Sequence, residues 1–258
     1  MAAMFLSNAA AVQPASAPAS RQVSSSGSAS ARSAFEPFVM VVTGDPELGS
    51  PDLPGTARRL MLLIERANAL KADLLVIPGD LLHDPDRPEQ VQALEAALKA
   101  LKMPVLAVAG NHDDQGMIAK RFGGPYHADW FRGCLFLCLN SELAGEAHKR
   151  QMAWLTGQLK QARLDRPAHL FVVMHKPPAA GEELDRLLNE YGVKTVLAGH
   201  LHTTFGRQQG SYMLYVVSGT AKVRDKLGLR YSLFKVRTDR VEHESVLLEQ
   251  QERPYGRP

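Results

Sequence analysis

The chain has 258 residues, 45% of them hydrophobic and 22% charged, with a formal net charge of +3. That length supports a well-buried core, and the composition excludes a fibrous or wholly disordered chain. The small net charge gives no electrostatic case for a nucleic-acid partner, and no stretch approaches the roughly 18 apolar residues of a membrane span.

Residues 1–34 contain no Asp or Glu, only Arg21 and Arg32 as charges, and a high share of Ala, Ser and Pro. Such a segment cannot bury enough apolar surface to order itself. It fits a disordered tail and, equally, an organellar transit peptide; it lacks the basic start and apolar core of a secretory signal. The expected organisation is a tail over 1–34 and one domain over 35–258. The expected location is the cytoplasm or, with a transit peptide, a plastid or mitochondrion. Cys134 and Cys138 share one apolar run, which puts their Cα atoms roughly 13 Å apart at about 3.3 Å per residue, too far to bridge.

In chain order, residues 38–43 form an apolar, β-branched run that predicts a buried strand, ending in Gly44-Asp45-Pro46-Glu47. Residues 54–70 place Leu60, Leu63, Ile64 and Ala67 at helical spacing. A second strand over 74–78 ends in Gly79-Asp80-Leu81-Leu82-His83, and a second amphipathic helix covers 88–101. The third strand, 103–109, ends in Gly110-Asn111-His112-Asp113. Beyond a loop at Gly123-Gly124-Pro125, a strand is expected over 134–139 and a helix over 148–164. The strand over 170–174 stops at His175-Lys176-Pro177-Pro178, where the prolines forbid continuation. A short helix over 184–191 precedes a strand over 195–198 that ends in Gly199-His200-Leu201-His202. Residues 212–218, 231–236 and 241–248 predict consecutive antiparallel strands.

Strands alternating with helices imply βαβ units and a largely parallel sheet core, which sends its strand ends to one edge. Those ends supply Asp45 and Glu47, Asp80 and His83, Asn111, His112 and Asp113, His175, and finally His200 and His202. Any single Asp or Asn here reads equally well as a helix cap. It is the whole set in order that argues for a site. Carboxylate and amide oxygens mixed with imidazole nitrogens suit Mn, Fe or Zn better than Ca. Asp80, on a middle strand, is the candidate bridge between two ions about 3.5 to 4 Å apart.

These blocks resemble the calcineurin-like metallophosphoesterase superfamily, over most of the chain from Phe38 to Leu248. The resemblance implies a four-layer αββα sandwich of two mixed sheets and two divalent metal ions. It implies hydrolysis of a phosphorylated substrate by in-line attack of activated water. It would place the first ion on Asp45, Asp80 and His202, with Glu47 as a further ligand, and the second on Asp80, Asn111, His175 and His200. His112 would contact the phosphate and protonate the leaving oxygen, with Asp113 orienting its ring.

Two positions depart from the pattern. Glu47 stands where most members have His, which adds negative charge and removes a nitrogen donor. The run Asp45-Pro46-Glu47-Leu48-Gly49 is similar to a subgroup with Asp-Pro-Gln-Leu-Gly, and favours a phosphoprotein phosphatase-like branch. His83 replaces an Asp or Asn and reads either as a substrate or water contact or as a loop cap. Lys176 reads as a phosphate contact or a solvated charge. Arg207, Lys222, Arg224, Lys226 and Arg230 read as a patch that attracts an anion or as a solvated face. His127, His148, His169 and His243 lie outside the blocks and read as incidental. The short segment 115–132 leaves little room for a cap, so an open site is expected. The rival reading is a non-catalytic binding module of the same fold, and retention of His112 argues against it.

Overall fold

β1 (Phe38–Val42) carries an apolar side chain at every position, and all but Val39 are buried. The computed structural model describes residues 34–224 and 226–250, so the expected tail lies outside the described residues. Met40 and Val42 face one hydrophobic cluster and Val41 another. This is the two-residue period of a strand covered on both sides, and it explains why the run reads as continuous rather than alternating.

α1 (Leu53–Ala69) begins where Asp52 accepts the Gly55 N–H and Pro54 occupies the first turn, and it buries Leu60, Leu63, Ile64 and Ala67. β2 (Leu74–Pro78), α2 (Pro88–Lys99) and β3 (Val105–Val108) continue the alternation. α3 (Gln115–Phe122) follows at once, capped by Asp114, whose side chain accepts the Met117 N–H, and closed by Gly123 at φ 105°. β4 (His127–Phe131), β5 (Cys134–Cys138), α4 (Gly145–Asp165), β6 (Leu170–Val173), α5 (Glu183–Glu190) and β7 (Thr195–Ala198) come next. β8 (Phe205–Gln209), β9 (Tyr212–Val216), β10 (Leu229–Val236) and β11 (Val241–Glu249) end the described fold.

Two mixed sheets result, one of five strands ordered β11-β10-β1-β2-β3 and one of six ordered β4-β5-β6-β7-β9-β8. Their facing sides share a core of Met40, Val76, Leu106, Phe136, Phe171 and Val173, while α1 and α2 cover the outer face of the first sheet and α4 that of the second. The expected αββα sandwich is therefore the fold.

The C-terminal strands differ from expectation. β9 pairs in parallel with β7 in the second sheet, whereas β10 crosses to the first and pairs antiparallel with β1. Consecutive antiparallel pairing holds only for β8 with β9 and for β10 with β11. β8 went unread because Gly206, Arg207, Gln208 and Gln209 break its apolar pattern, and β4 because Asp129 sits inside it. α3 is short and follows a polar turn that masks its start. Cys134 and Cys138 are free and buried, as their spacing requires. Burial pushes the Cys134 thiol up to about 12.

Candidate metal centre

Parallel strands β1, β2 and β3 and parallel strands β6 and β7 deliver their following loops to one edge of the sandwich. Those loops are laced by backbone bonds: Glu47 N donates to Asp80 O at 2.7 Å, Leu48 N to Leu81 O at 3.1 Å, and Gly199 N to His175 O at 3.0 Å. Close approach demands glycine. A Cβ on Gly110 would collide with the Asp80 carboxylate, and one on Gly79, at φ +90°, would enter the His175 ring. Asp45, Glu47, Asp80, His200 and His202 themselves hold positive φ between 37° and 68°. Non-glycine residues in that region are strained and persist where surrounding contacts over-determine them, typically at functional sites.

His175 is the centre of one donor set. Its Nδ1–H donates to Pro78 O at 3.0 Å, which fixes the tautomer and leaves Nε2 as a lone pair. Around Nε2 lie Asn111 Oδ1 at 3.1 Å, Asp80 Oδ2 at 3.2 Å and His200 Nδ1 at 3.2 Å. Three polar atoms crowd this one nitrogen, an arrangement that a shared cation or proton satisfies. In the metal-free chain the proton answers. Burial opposes it, but the Asp80 hydrogen bond and the Asp45 and Asp80 charges raise the imidazole to about 9. Burial would raise Asp80, yet its bonds and charge interactions with His175 and His112 hold it below the usual range. Burial lowers His200, with the His175 charge acting the same way. Oxygens and imidazole nitrogens gathered from buried Asp80 and His175, half-buried His200 and exposed Asn111 fit a divalent metal.

The set expected for the first ion is arranged differently. Among the described residues, donor atoms of Asp80, His175 and His200 lie within 4.8 Å of one another, as do those of Glu47, His83 and His112. Asp45 and His202 stand outside both groups. Both Asp45 oxygens accept the His200 backbone N–H, at 3.0 and 3.1 Å. Burial pushes Asp45 up to about 7. Glu47, with no exposure, accepts from Lys222 Nζ at 2.8 Å and faces His83 Nδ1 at 3.1 Å, both on Oε1. His202 Nε2 lies 3.9 Å from the other oxygen, and burial lowers this imidazole to about 4.

His112 sits at the mouth with its side chain 36% exposed, stacked on His83 at 5.2 Å, and its backbone N–H donates to Asp80 Oδ1 at 2.9 Å. Asp113 is placed differently from expectation. Its Oδ1 accepts the Leu82 N–H at 3.0 Å and its Oδ2 the Gly110 N–H at 2.9 Å, so it braces two loops. A contact from Asp113 to the His112 ring is not among the described bonds. Burial pushes Asp113 up to about 6, against those same N–H groups.

The basic patch dissolves into separate roles. Lys222 is buried, Arg230 bonds Ser245 and Leu227 O, and Arg207 bonds Gln209. Lys176 pairs with Glu142 at 2.6 Å. His127 is not incidental: it lies 3.2 Å from Asp129, beside Cys138, in a fully buried group. Lys222 was the informative residue in the patch, and its only sequence signal was a single Lys between apolar Ala221 and Val223.

A two-sheet sandwich with oxygen and imidazole donors gathered at its strand ends defines a metal-dependent phosphoesterase. A model of the calcineurin-like phosphoesterase family matches residues 38–204, and the chain belongs to that family. It is similar to the human serine/threonine-protein phosphatase CPPED1, 29% identical over an alignment 229 residues long, gaps included, that covers 73% of each chain. It is also similar to the glycerophosphodiester phosphodiesterase GpdQ of Enterobacter lignolyticus, 33% identical over 134 residues, 45% of this chain and 46% of that one. A dimetal phosphatase from Danio rerio shares the fold, with a TM-score of 0.68 at 14% identity, covering 83% of this chain and 98% of the other. The chain is a metal-dependent phosphoric ester hydrolase. No helix among the described residues is long and apolar enough to cross a membrane.

Proposed function

We propose that the protein is a phosphomonoesterase acting on phosphoserine or phosphothreonine, with a divalent cation held by Asp80, Asn111, His175 and His200. The observation that carries the metal set is the crowd of oxygen and nitrogen atoms within 3.2 Å of His175 Nε2. A bound cation supplies positive charge that offsets charge growing on the phosphoryl oxygens and makes nearby water easier to deprotonate. The donor chemistry suits Mn, Fe or Zn.

The chain's own residues do the rest. Asp45 holds the His200 loop by its N–H, and Asp80 holds the His112 loop by the corresponding bond. His112, exposed at the mouth, meets the phosphate and carries the proton that passes to the departing alcohol oxygen as the P–O ester bond breaks. Asp113 acts by bracing Gly110 against Leu82. The choice of a protein monoester is supported by the Asp45-Pro46-Glu47-Leu48-Gly49 run and by similarity to CPPED1 over 73% of the chain. An open approach suits a protein substrate: segment 115–132 builds only α3 and β4.

The test uses chelator-stripped protein reloaded with Mn²⁺, Fe²⁺ or Zn²⁺, assayed on a phosphoserine peptide, p-nitrophenyl phosphate and its bis ester. Monoesters should be hydrolysed faster than the diester. His112→Ala should lower kcat by about 10² to 10³-fold with metal content unchanged. Faster turnover of the diester would overturn the monoester reading, and no turnover with any metal would overturn the whole proposal.

A further inference from the structure

Lys222 lies in the segment after β9, and that segment is held against the site from two sides. Arg59 of α1 donates through Nε to Thr220 O at 2.7 Å and through Nη2 to Ala221 O at 3.1 Å. Arg224 N donates to His202 O at 2.8 Å. Fixed in this way, the Lys222 side chain turns inward with 10% exposure, and its Nζ lies 2.8 Å from Glu47 Oε1 and 3.5 Å from Ser50 Oγ. The Glu47 carboxylate has no exposure at all.

A buried carboxylate with no cation would be an uncompensated charge, and Lys222 removes that penalty by direct contact. The same contact works against a metal. A divalent ion using Glu47 would share the carboxylate with a fixed like charge in a poorly solvated site, where repulsion is far stronger than in water. Without Lys222 a donor set would remain at this carboxylate, because atoms of Glu47, His83 and His112 lie within 4.8 Å of one another.

We propose that the Lys222 ammonium stands in for the first cation. The chain binds one divalent ion, on Asp80, Asn111, His175 and His200, and Lys222 supplies positive charge on the Glu47 side of the centre. Glu47 is then the anchor of an internal cation rather than a ligand. This rests on reading the His175 cluster as a metal set, and the experiment separates the two claims.

Full-length protein is stripped with chelator, titrated with Mn²⁺, and its bound metal counted by mass spectrometry after desalting, with the electron paramagnetic resonance spectrum recorded. Wild type is expected to retain about one equivalent and to give the six-line signal of isolated Mn²⁺. Lys222→Met frees Glu47 and should retain about two, with a broadened, exchange-coupled signal. Lys222→Arg keeps the charge and should stay at one. Two tight equivalents in wild type would overturn the inference while leaving the His175 set intact. One equivalent in a folded Lys222→Met, checked by circular dichroism, would overturn it as well. No bound metal in wild type would overturn both claims.

Discussion

At the scale of single residues, His175 decides what the centre does without metal. Its imidazole sits at about 9 against an ordinary 6.5, so the folded chain keeps a proton that the unfolded chain gives up. The stabilisation is complete below pH 6.5 and is lost as pH rises through 9, at up to about 1.4 kcal/mol per pH unit. Chelator-treated protein should therefore show a falling urea midpoint from pH 6.5 to 9, and His175→Gln should flatten it. Mn²⁺ should reverse the trend, because a metal takes the deprotonated ring. A flat wild-type profile without metal would contradict the assignment of Nε2. Asp45 reinforces the fall at lower pH, since a carboxyl raised by burial from 3.8 to about 7 favours the folded state only while protonated.

At the scale of elements, the site is a consequence of how tightly successive strand-to-helix loops pack. Glycine before a candidate residue lets one loop lie on the next, and Asp45, Glu47, Asp80, His200 and His202 hold positive φ where those loops turn. Gly79→Ala should cost about 1 to 3 kcal/mol, because the residue sits at φ +90° with the His175 ring in the space a Cβ needs. Calorimetry and Mn²⁺ titration should show lower stability and weaker binding together. Gly157→Ala in α4, where nothing lies within 4 Å, should do the opposite and stabilise by about 0.5 to 1 kcal/mol. If the two substitutions have equal effects, loop packing is not what shapes the site.

At the scale of the molecule, the two sheets meet through a core in which Phe136 and Phe171 stack at 4.7 Å with an interplanar angle of 9°. Phe136→Ala should cost about 3 to 5 kcal/mol in chemical denaturation while metal bound per folded chain stays constant. A loss of metal in the folded variant would mean that the core sets the site geometry directly. The same architecture explains what was legible. Apolar runs bounded by glycine marked β1, β2, β3, β5 and β7, and one stopped by two prolines marked β6, because strands buried on both faces need no polar positions. The candidate residues stood out because each follows such a run. β8 and β4 stayed hidden because they are edge strands carrying polar residues.

The sequence by itself determined the alternation of strands and helices, the order of the chemical blocks and the oxygen and nitrogen donors, since local pattern dictates strands and strand ends dictate the edge; the αββα class followed from the family resemblance those blocks carry. Which donors converge was decided only by tertiary structure. Lys222 stands 175 residues beyond Glu47, and no local pattern couples positions so far apart. The crossing of β10 to the first sheet, the turn of Asp113 towards Leu82, and the seating of Lys222 on Glu47 are all long-range contacts. Their cause is physical: a buried charge or backbone N–H takes whichever partner the assembled loops bring within reach.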